Sequence, residues 1–177
     1  MKILKVLALI IGVLILILVL GGLFLPKTYS VSRSTTINAP DSVIYKNIAD
    51  FNEFYKWNAW AKMDTAAKTT ITGPVAEPNH LYHWEGEKMG TGQMKILTVE
   101  PNKMVDIELK FIKPFESIAD TRFVITPSGQ SNQVTWYMNG ECKGLMDKWS
   151  GFFMDKMIGK DFEDGLRFLK EKSEAGK

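Results

Sequence analysis

The two histidines of the chain are the first candidates for metal chemistry. His80 and His83 lie three residues apart, and Glu85 follows two residues later. Alternate side chains of a strand share a face, so His83 and Glu85 point to one side while His80 falls in the preceding turn. A metal site needs three or four ligands that converge on one point. A strand pair plus one turn residue gives poor convergence, so we interpret both histidines as surface or rim residues and predict no metal ligand and no cofactor.

Carboxylates are more numerous, but their setting does not indicate catalysis. General acid–base chemistry needs a titratable group in a cleft with a shifted pKa. Asp106 and Glu108 alternate with apolar residues, as on a solvated strand face, and Asp64 is placed either at a pocket mouth or in a turn or helix cap. The single cysteine, Cys142, has no recognisable nucleophile setting, and phosphate-loop and dinucleotide motifs are absent from the sequence. We predict no catalytic residue.

Large apolar side chains are more informative. Two of the five tryptophans stand three residues apart within the segment WNAWAKMD. Such residues pack ordinary cores, but large apolar surfaces with a few polar groups also suit a hydrophobic ligand. We predict that a cavity is lined by residues drawn from every inward-facing element, namely Trp57, Trp60, Trp84, Phe111, Trp136, Trp149, Phe153 and Met157.

Two finer expectations attach to this cavity. One of Trp57 and Trp60 is expected to line the pocket mouth while the other packs in the core. Polar contacts to the ligand are expected from four residues: Tyr82, Tyr137, Asn139 and Glu141.

The elements that must position these residues follow from hydrophobic periodicity. Alternation predicts a strand over Thr28–Ile37, and apolar spacing predicts two short helices over about 41–50 and 51–57. About six strands follow between residues 68 and 140, and the segment from Leu145 to Lys172 carries a broad apolar stripe at helical spacing. One sheet with one covered face and one long amphipathic helix predict an α+β fold in which the helix lies across a curved antiparallel sheet.

Four segments occur in this order along the chain: STTINAPDSVIYKNIADFNEFYKWNAW, YHWEGEKMGTGQMKI, VTWYMNGE and MIGKDFEDGLRFLKEKSE. Together they resemble the START-like superfamily, also called Bet v 1-like or SRPBCC, and within it the polyketide cyclase/dehydrase and lipid-transport-like group. The resemblance covers about Tyr29 to Glu174. It implies a helix-grip fold, in which the sheet wraps the C-terminal helix and leaves a cavity for lipids, sterols, polyketides or other hydrophobic molecules.

The N-terminal segment is a separate element. Val6 to Leu25 are 20 residues without a charge. At about 1.5 Å per residue, a helix of that length spans a hydrocarbon core of about 30 Å. A cleavable signal peptide has a shorter apolar region and small residues at its cleavage site. We therefore predict an uncleaved membrane anchor over residues 1–27, with the span at about 6–25, and keep signal-peptide cleavage and a buried helix as alternatives.

Charge gives the orientation and excludes one class of partner. Lys2 and Lys5 precede the span, and basic residues tend to stay cytoplasmic, so we predict the N-terminus inside and the domain of residues 28–177 outside the cytoplasm. Without the three lysines that flank the span, 19 of the 22 basic residues remain against 20 acidic ones. A nearly neutral domain lacks the clustered basic surface that nucleic acid requires.

The combined prediction is a membrane-anchored domain that binds a lipid or another hydrophobic small molecule in an internal cavity. Its expected partners are that molecule and the membrane. Two alternatives remain open. One is a cyclase- or dehydratase-type enzyme on a hydrophobic substrate, which rests on the resemblance, and the other is a protein-interaction module with a vestigial cavity.

Overall fold

The computed structural model describes residues 2–175. Met1, Gly176 and Lys177, which belong to the predicted segments 1–27 and 28–177, lie outside the described residues. The elements in chain order are α1 (Lys2–Phe24), β1 (Thr28–Ile37), α2 (Asp41–Ala49), α3 (Phe51–Trp57), α4 (Ala59–Met63), β2 (Lys68–Thr72), β3 (Leu81–Glu85), β4 (Thr91–Glu100), β5 (Met104–Lys113), β6 (Ser117–Ser128), β7 (Ser131–Glu141) and α5 (Leu145–Glu174).

The seven strands form one antiparallel sheet in the order β1-β7-β6-β5-β4-β3-β2. β1 thus pairs with the last strand, from Thr28 opposite Glu141 to Ile37 opposite Asn132. α5 packs most extensively across β1. It also contacts α2, α3 and α4. The predicted α+β helix-grip architecture, a curved antiparallel sheet around a long C-terminal helix, is confirmed.

The segment between α2 and α4 turns twice, and each turn has a side-chain cap. Asp50 begins α3 because its carboxylate accepts a hydrogen bond from the Asn52 N–H at 2.9 Å. Asn58 begins α4 in the same way, with its side-chain oxygen 3.1 Å from the Trp60 nitrogen. Side-chain oxygens at these positions satisfy backbone donors that have no partner within the helix. The cap at Asn58 therefore separates Trp57 from Trp60 by a helix break.

α1 is an apolar helix that lies outside the folded core. Its segment Ile3–Phe24 is 22 residues long and apolar enough to cross a membrane, and none of its most apolar window is buried. Both a membrane span and a signal sequence satisfy this test. The C-terminal turns of α1 contact the start of α5, where the Trp149 Nε1–H donates to the Leu18 carbonyl at 3.0 Å.

Candidate functional site

The interior between α5 and the sheet is filled by stacked aromatic rings. Trp136 on β7 stacks on Phe162 of α5 at 4.1 Å between ring centroids and on Phe123 of β6 at 4.7 Å. Trp57 meets Trp136 edge to face at 6.1 Å. Offset and edge-to-face pairs at these separations stabilise a core beyond the area that they bury. The rings therefore join the helix, the sheet and α3 into one core.

The two neighbouring tryptophans occupy different positions in this core. Trp57 is 1% exposed, and its indole N–H donates to the Asn47 carbonyl at 2.7 Å. Trp60 is only partly buried and meets Trp136 and Phe162 edge to face, at 5.8 and 6.0 Å. Trp57 thus lies inside the core, and Trp60 lies at its margin.

The other predicted lining residues on the sheet also differ in burial: two are in the core and one is at its margin. Trp84 and Trp136 retain 4% and 2% of their accessible surface. A side chain beside a water-sized cavity keeps accessible surface, so these two rings are packed against neighbours. Phe111 is partly buried and meets the edge of Trp84 at 6.3 Å.

The three predicted lining residues on the first half of α5 lie away from this interior. Trp149 contacts α1, while Phe153 and Met157 are 45% and 64% exposed. The face of α5 that packs on the sheet carries Phe162, Leu166 and Leu169 instead, each with 2% exposure or less.

The inward-facing side chains are not fully buried along the whole sheet. On β5, Val105 and Ile107 are 0% and 1% exposed, whereas Leu109 and Phe111, further along the same face, are only partly buried. Three apolar residues on the helices that approach the core are also partly buried. Five partly buried apolar residues pack against the margin of the core, and we call this set the open end: Trp60, Leu109, Phe111, Met154 and Ile158.

Three buried polar atoms in the interior have no hydrogen-bond partner in the described part of the chain. They are Tyr82 Oη, Thr121 Oγ1 and Trp136 Nε1. Buried polar groups in native structures are nearly always paired, so each of these atoms requires an explanation. Burial raises the pKa of the Tyr82 hydroxyl, which remains a neutral donor and acceptor. The interior is therefore apolar, with three unpaired hydrogen-bonding groups among its packed side chains.

Three of the four residues predicted as polar contacts, Tyr137, Asn139 and Glu141, do not face the interior. Tyr137 and Asn139 line a groove of about 480 Å³ on the outer face of the sheet, together with Asp106 and Arg122. Asp106 and Arg122 form an ion pair across β5 and β6. Their position on the outer face follows from the alternation of β7, in which Trp136 and Met138 point inward.

The sequence analysis did not single out Asp161, which lies near the open end on α5. It follows Met154 and Ile158 at spacings of seven and three residues, and these spacings place the three side chains on one helix face. Burial, and next the neighbouring Asp164, raise the pKa of its carboxyl, and Lys160 and the Trp60 side chain partly offset this rise. The helical spacing alone would have been sufficient to identify this carboxylate.

The histidines have structural surroundings, and the prediction for His80 is wrong. His80 is 1% exposed, its Nε2 accepts from the Phe51 N–H at 3.1 Å, and its Nδ1 lies 3.0 Å from the Thr72 carbonyl. Because both ring nitrogens have backbone partners, the ring is tolerated in the core. His83 pairs with Glu85 at 3.3 Å on the surface. Within residues 2–175, no three side chains of metal-binding type come together.

Asp64 has the turn role that was one of its two expected roles. It is 6% exposed, and its carboxylate accepts hydrogen bonds from the backbone nitrogens of Lys88 and Met89 at 2.9 and 3.3 Å. It therefore holds the loop between β3 and β4 against the end of α4.

A curved antiparallel sheet that wraps a long C-terminal helix defines the helix-grip class of proteins. The chain belongs to the family described as polyketide cyclase / dehydrase and lipid transport, whose model matches residues 28–174. Family and fold together suggest a hydrophobic ligand-binding domain. No curated protein matches the sequence.

Solved structures confirm the fold at low sequence identity. Protein MLL2253 from Mesorhizobium loti superposes with a TM-score of 0.60 at 16% identity, over 81% of this chain and 98% of its own. TTHA0849 from Thermus thermophilus has a TM-score of 0.61 at 14% identity, over 83% and 98% of the two chains. DynU16, from the dynemicin biosynthetic locus, has a TM-score of 0.60 at 11% identity, over 84% of this chain and 48% of its own.

Proposed function

We propose that this protein is a membrane-anchored domain that binds a lipid or another hydrophobic small molecule between α5 and the sheet. The observation that carries the proposal is the set of three unpartnered polar atoms inside an aromatic interior, Tyr82 Oη, Thr121 Oγ1 and Trp136 Nε1. Leaving a buried donor or acceptor unsatisfied costs about 1–3 kcal/mol. A ligand that moves the packed rings apart and pairs with these atoms would recover that free energy on binding.

The chemistry of the three atoms limits the ligand. The Trp136 indole N–H only donates, so its partner must be an oxygen acceptor such as a carbonyl, ether or hydroxyl. Tyr82 and Thr121 both donate and accept. The ligand is therefore a mainly apolar molecule with one or two oxygen-bearing groups. It would enter at the open end, where Met154 has the flexible, unbranched side chain that adapts to irregular shapes.

The anchor is the second half of the proposal. α1 has the length and composition of a membrane span, and the basic residues before it favour an N-terminus inside and a domain of residues 28–177 outside the cytoplasm. Hydrophobic ligands concentrate in the bilayer. An anchor over residues 1–27 would hold the interior of the domain close to ligand dissolved in the bilayer.

Extraction of bound molecules from the full chain tests the binding proposal. The wild-type chain and two variants are purified in the same detergent and analysed by native mass spectrometry. Ile158→Trp fills the open end, and Val43→Trp adds a similar bulk on α2, where Val43 is 38% exposed. A small molecule retained by the wild type and Val43→Trp but lost from Ile158→Trp supports the proposal. Because all three proteins carry the same α1, lipid held by that helix contributes equally, and equal retention by all three would contradict the proposal.

One observation favours a second candidate function, an enzyme of the cyclase or dehydratase type. Asp161 is a partly buried carboxyl with a raised pKa on the helix face that reaches the open end. A carboxyl of this kind can donate a proton to a bound molecule. If it does, the molecules extracted from Asp161→Asn should be substrate, whereas the wild type should carry product. Identical molecules from both proteins would leave Asp161 as a binding group.

A further inference from the structure

The first half of α5 exposes a contiguous apolar surface. Met146, Phe152, Phe153 and Met157 are 73%, 59%, 45% and 64% exposed. Phe152 meets Phe153 edge to face at 5.0 Å, and Phe153 stacks on Trp149 at 6.4 Å. Apolar side chains exposed singly need no explanation, but a contiguous group of them marks a contact surface.

This surface is fixed to the end of α1. The Trp149 Nε1–H donates to the Leu18 carbonyl at 3.0 Å, and the Lys148 ammonium donates to the Gly22 carbonyl at 3.1 Å. Gly21 and Gly22 allow the approach, because a Cβ at either residue would come within 3.0 Å of the Trp149 ring. The contact is therefore built from specific side chains and two glycines.

The contact also sets the depth of the surface relative to α1. Leu18 lies six residues before Phe24, the last residue of α1, which is about 9 Å at 1.5 Å per residue. Leu145 lies beside Gly22 and Trp149 beside Leu18, so the first turns of α5 run toward the N-terminal part of α1. Interfacial helices bury their apolar face about 5–10 Å into the boundary between headgroups and acyl chains. Tryptophan is enriched at that level.

A loop at the same end of the sheet adds to the surface. Phe115 lies between β5 and β6 and is 82% exposed. The pairing of Ala119 with Gly140, and of Thr28 with Glu141, places this loop at the end of the sheet where β1 begins, directly after α1. A further exposed aromatic residue therefore lies on the side of the domain that faces the end of the anchor.

The geometry points to a bilayer-docking surface formed by residues 145–157 of α5, with Phe115 at its margin. This inference rests on the proposed anchor. Its occupant is the headgroup–acyl boundary of the membrane that α1 crosses, because the surface is continuous with α1 at Trp149, which contacts α1 at interfacial depth. Lys156, one turn beyond Phe152, can extend its ammonium to lipid headgroups. Docking in this orientation places Met154 and Ile158 of the open end next to the bilayer.

Site-specific fluorescence in membranes tests the inference with the full chain. An environment-sensitive NBD label is attached to single cysteines in a Cys142→Ala background, in vesicles of phosphatidylcholine and phosphatidylglycerol. Phe153→Cys and Met146→Cys report the docking surface, and the two sites guard against a single variant that fails to fold. Gly12→Cys reports insertion of α1, and Gln133→Cys reports an exposed residue at the opposite end of the sheet.

Two quenchers distinguish the outcomes. We expect labels at 153 and 146 to be quenched by lipids with a shallow nitroxide and protected from aqueous iodide, the label at 12 to be quenched by a deep nitroxide, and the label at 133 to be quenched by iodide. Iodide quenching at 153 and 146 with an inserted label at 12 would overturn the docking surface and leave the anchor intact. Iodide quenching at all four sites would overturn both. Protection at 153 and 146 from both quenchers would show that protein covers the surface, and would also overturn docking.

Discussion

The guanidinium of Arg33 on β1 lies directly against Gly159 on α5. It donates to Asp155 at 2.7 Å and to Glu163 at 2.8 Å, so it is held by carboxylates one turn before and one turn after the glycine. A Cβ at position 159 would overlap the Arg33 Nη2 atom. Both carboxylates are more than half exposed, so the ion pairs contribute little free energy, and their main effect is to fix how α5 crosses β1.

Gly159→Ala is expected to stabilise the protein by less than helix propensity alone would give. The substitution gains about 1 kcal/mol of helix propensity. It also displaces the Arg33 guanidinium, which is the far end of a flexible side chain, and the exposed ion pairs lost with it are worth about 0–1 kcal/mol. Chemical denaturation should therefore show a change in the free energy of unfolding between zero and about 1 kcal/mol.

The same substitution in an Arg33→Ala background provides the control. With the guanidinium removed, only the propensity gain remains, and Gly159→Ala should show the full stabilisation. A double-mutant cycle then gives the coupling between the two residues. An equal change in both backgrounds would show that the Arg33 contact does not affect the substitution.

Trp57→Ala and Trp60→Ala should differ in which property they change. Trp57 is enclosed by aromatic rings and donates to Asn47, so its loss should lower the free energy of unfolding by about 3–5 kcal/mol. Trp60 is partly buried at the open end. Its removal should therefore lower the free energy of unfolding less than the loss of Trp57 does, and it should reduce ligand retention more. Thermal unfolding and extraction of bound molecules measure the two effects. If both variants lost the same stability and kept the ligand, both residues would be core residues only.

Thr121→Val should raise the stability of the ligand-free protein and weaken ligand binding. Valine has nearly the shape of threonine, and it removes a buried hydroxyl that has no partner in the described residues. The ligand-free protein should gain about 1 kcal/mol or more, because an unsatisfied buried group is no longer present. Retention of the extracted ligand should fall. Thr126→Val on the exposed face of the same strand is the matched control and should change neither quantity. Unchanged retention in Thr121→Val would remove this hydroxyl from the binding site.

Glu53 should give the protein a measurable acid dependence. Lys172 on α5, at 2.8 Å, and next Lys56, at 2.7 Å, lower the pKa of the Glu53 carboxyl from 4.5 to about 2. The folded state thus holds its proton less tightly than the unfolded state. The resulting stabilisation is complete above the unfolded pKa of 4.5 and is lost as the pH falls toward 2.

Glu53→Gln tests this linkage. Because solvent screens a partly exposed pair, we expect a loss of about 1 kcal/mol at pH 7. Urea titrations between pH 7 and pH 3 should show the difference from wild type shrinking below about pH 5. Glu171→Gln, which removes an exposed partner of Arg167 at 2.9 Å, is the control and should change stability little. A difference that stayed constant with pH would contradict the role of the Glu53 charge.

The fold could be predicted from the sequence because its signals are local and periodic. Alternation within Met104–Phe111 and the apolar stripe of α5 identified the covered face of the sheet and the helix that covers it, and the four segments that carry the resemblance indicated the arrangement. The predicted bounds 28–37 and 51–57 agree with β1 and α3. Period and capping act within a few residues, so one sequence is sufficient to reveal them.

Only the tertiary structure decided which neighbours each side chain contacts. His80 is a core residue because the Phe51 N–H, 29 residues away in the chain, and the Thr72 carbonyl, 8 residues away, satisfy its ring nitrogens. The apolar stripe of α5 is broad enough to face two partners, and sequence alone assigned Trp149 and Phe153 to the pocket, whereas the structure places Trp149 against α1. Apolar periodicity determines that a face is covered, but contacts between residues far apart in the chain decide what covers it.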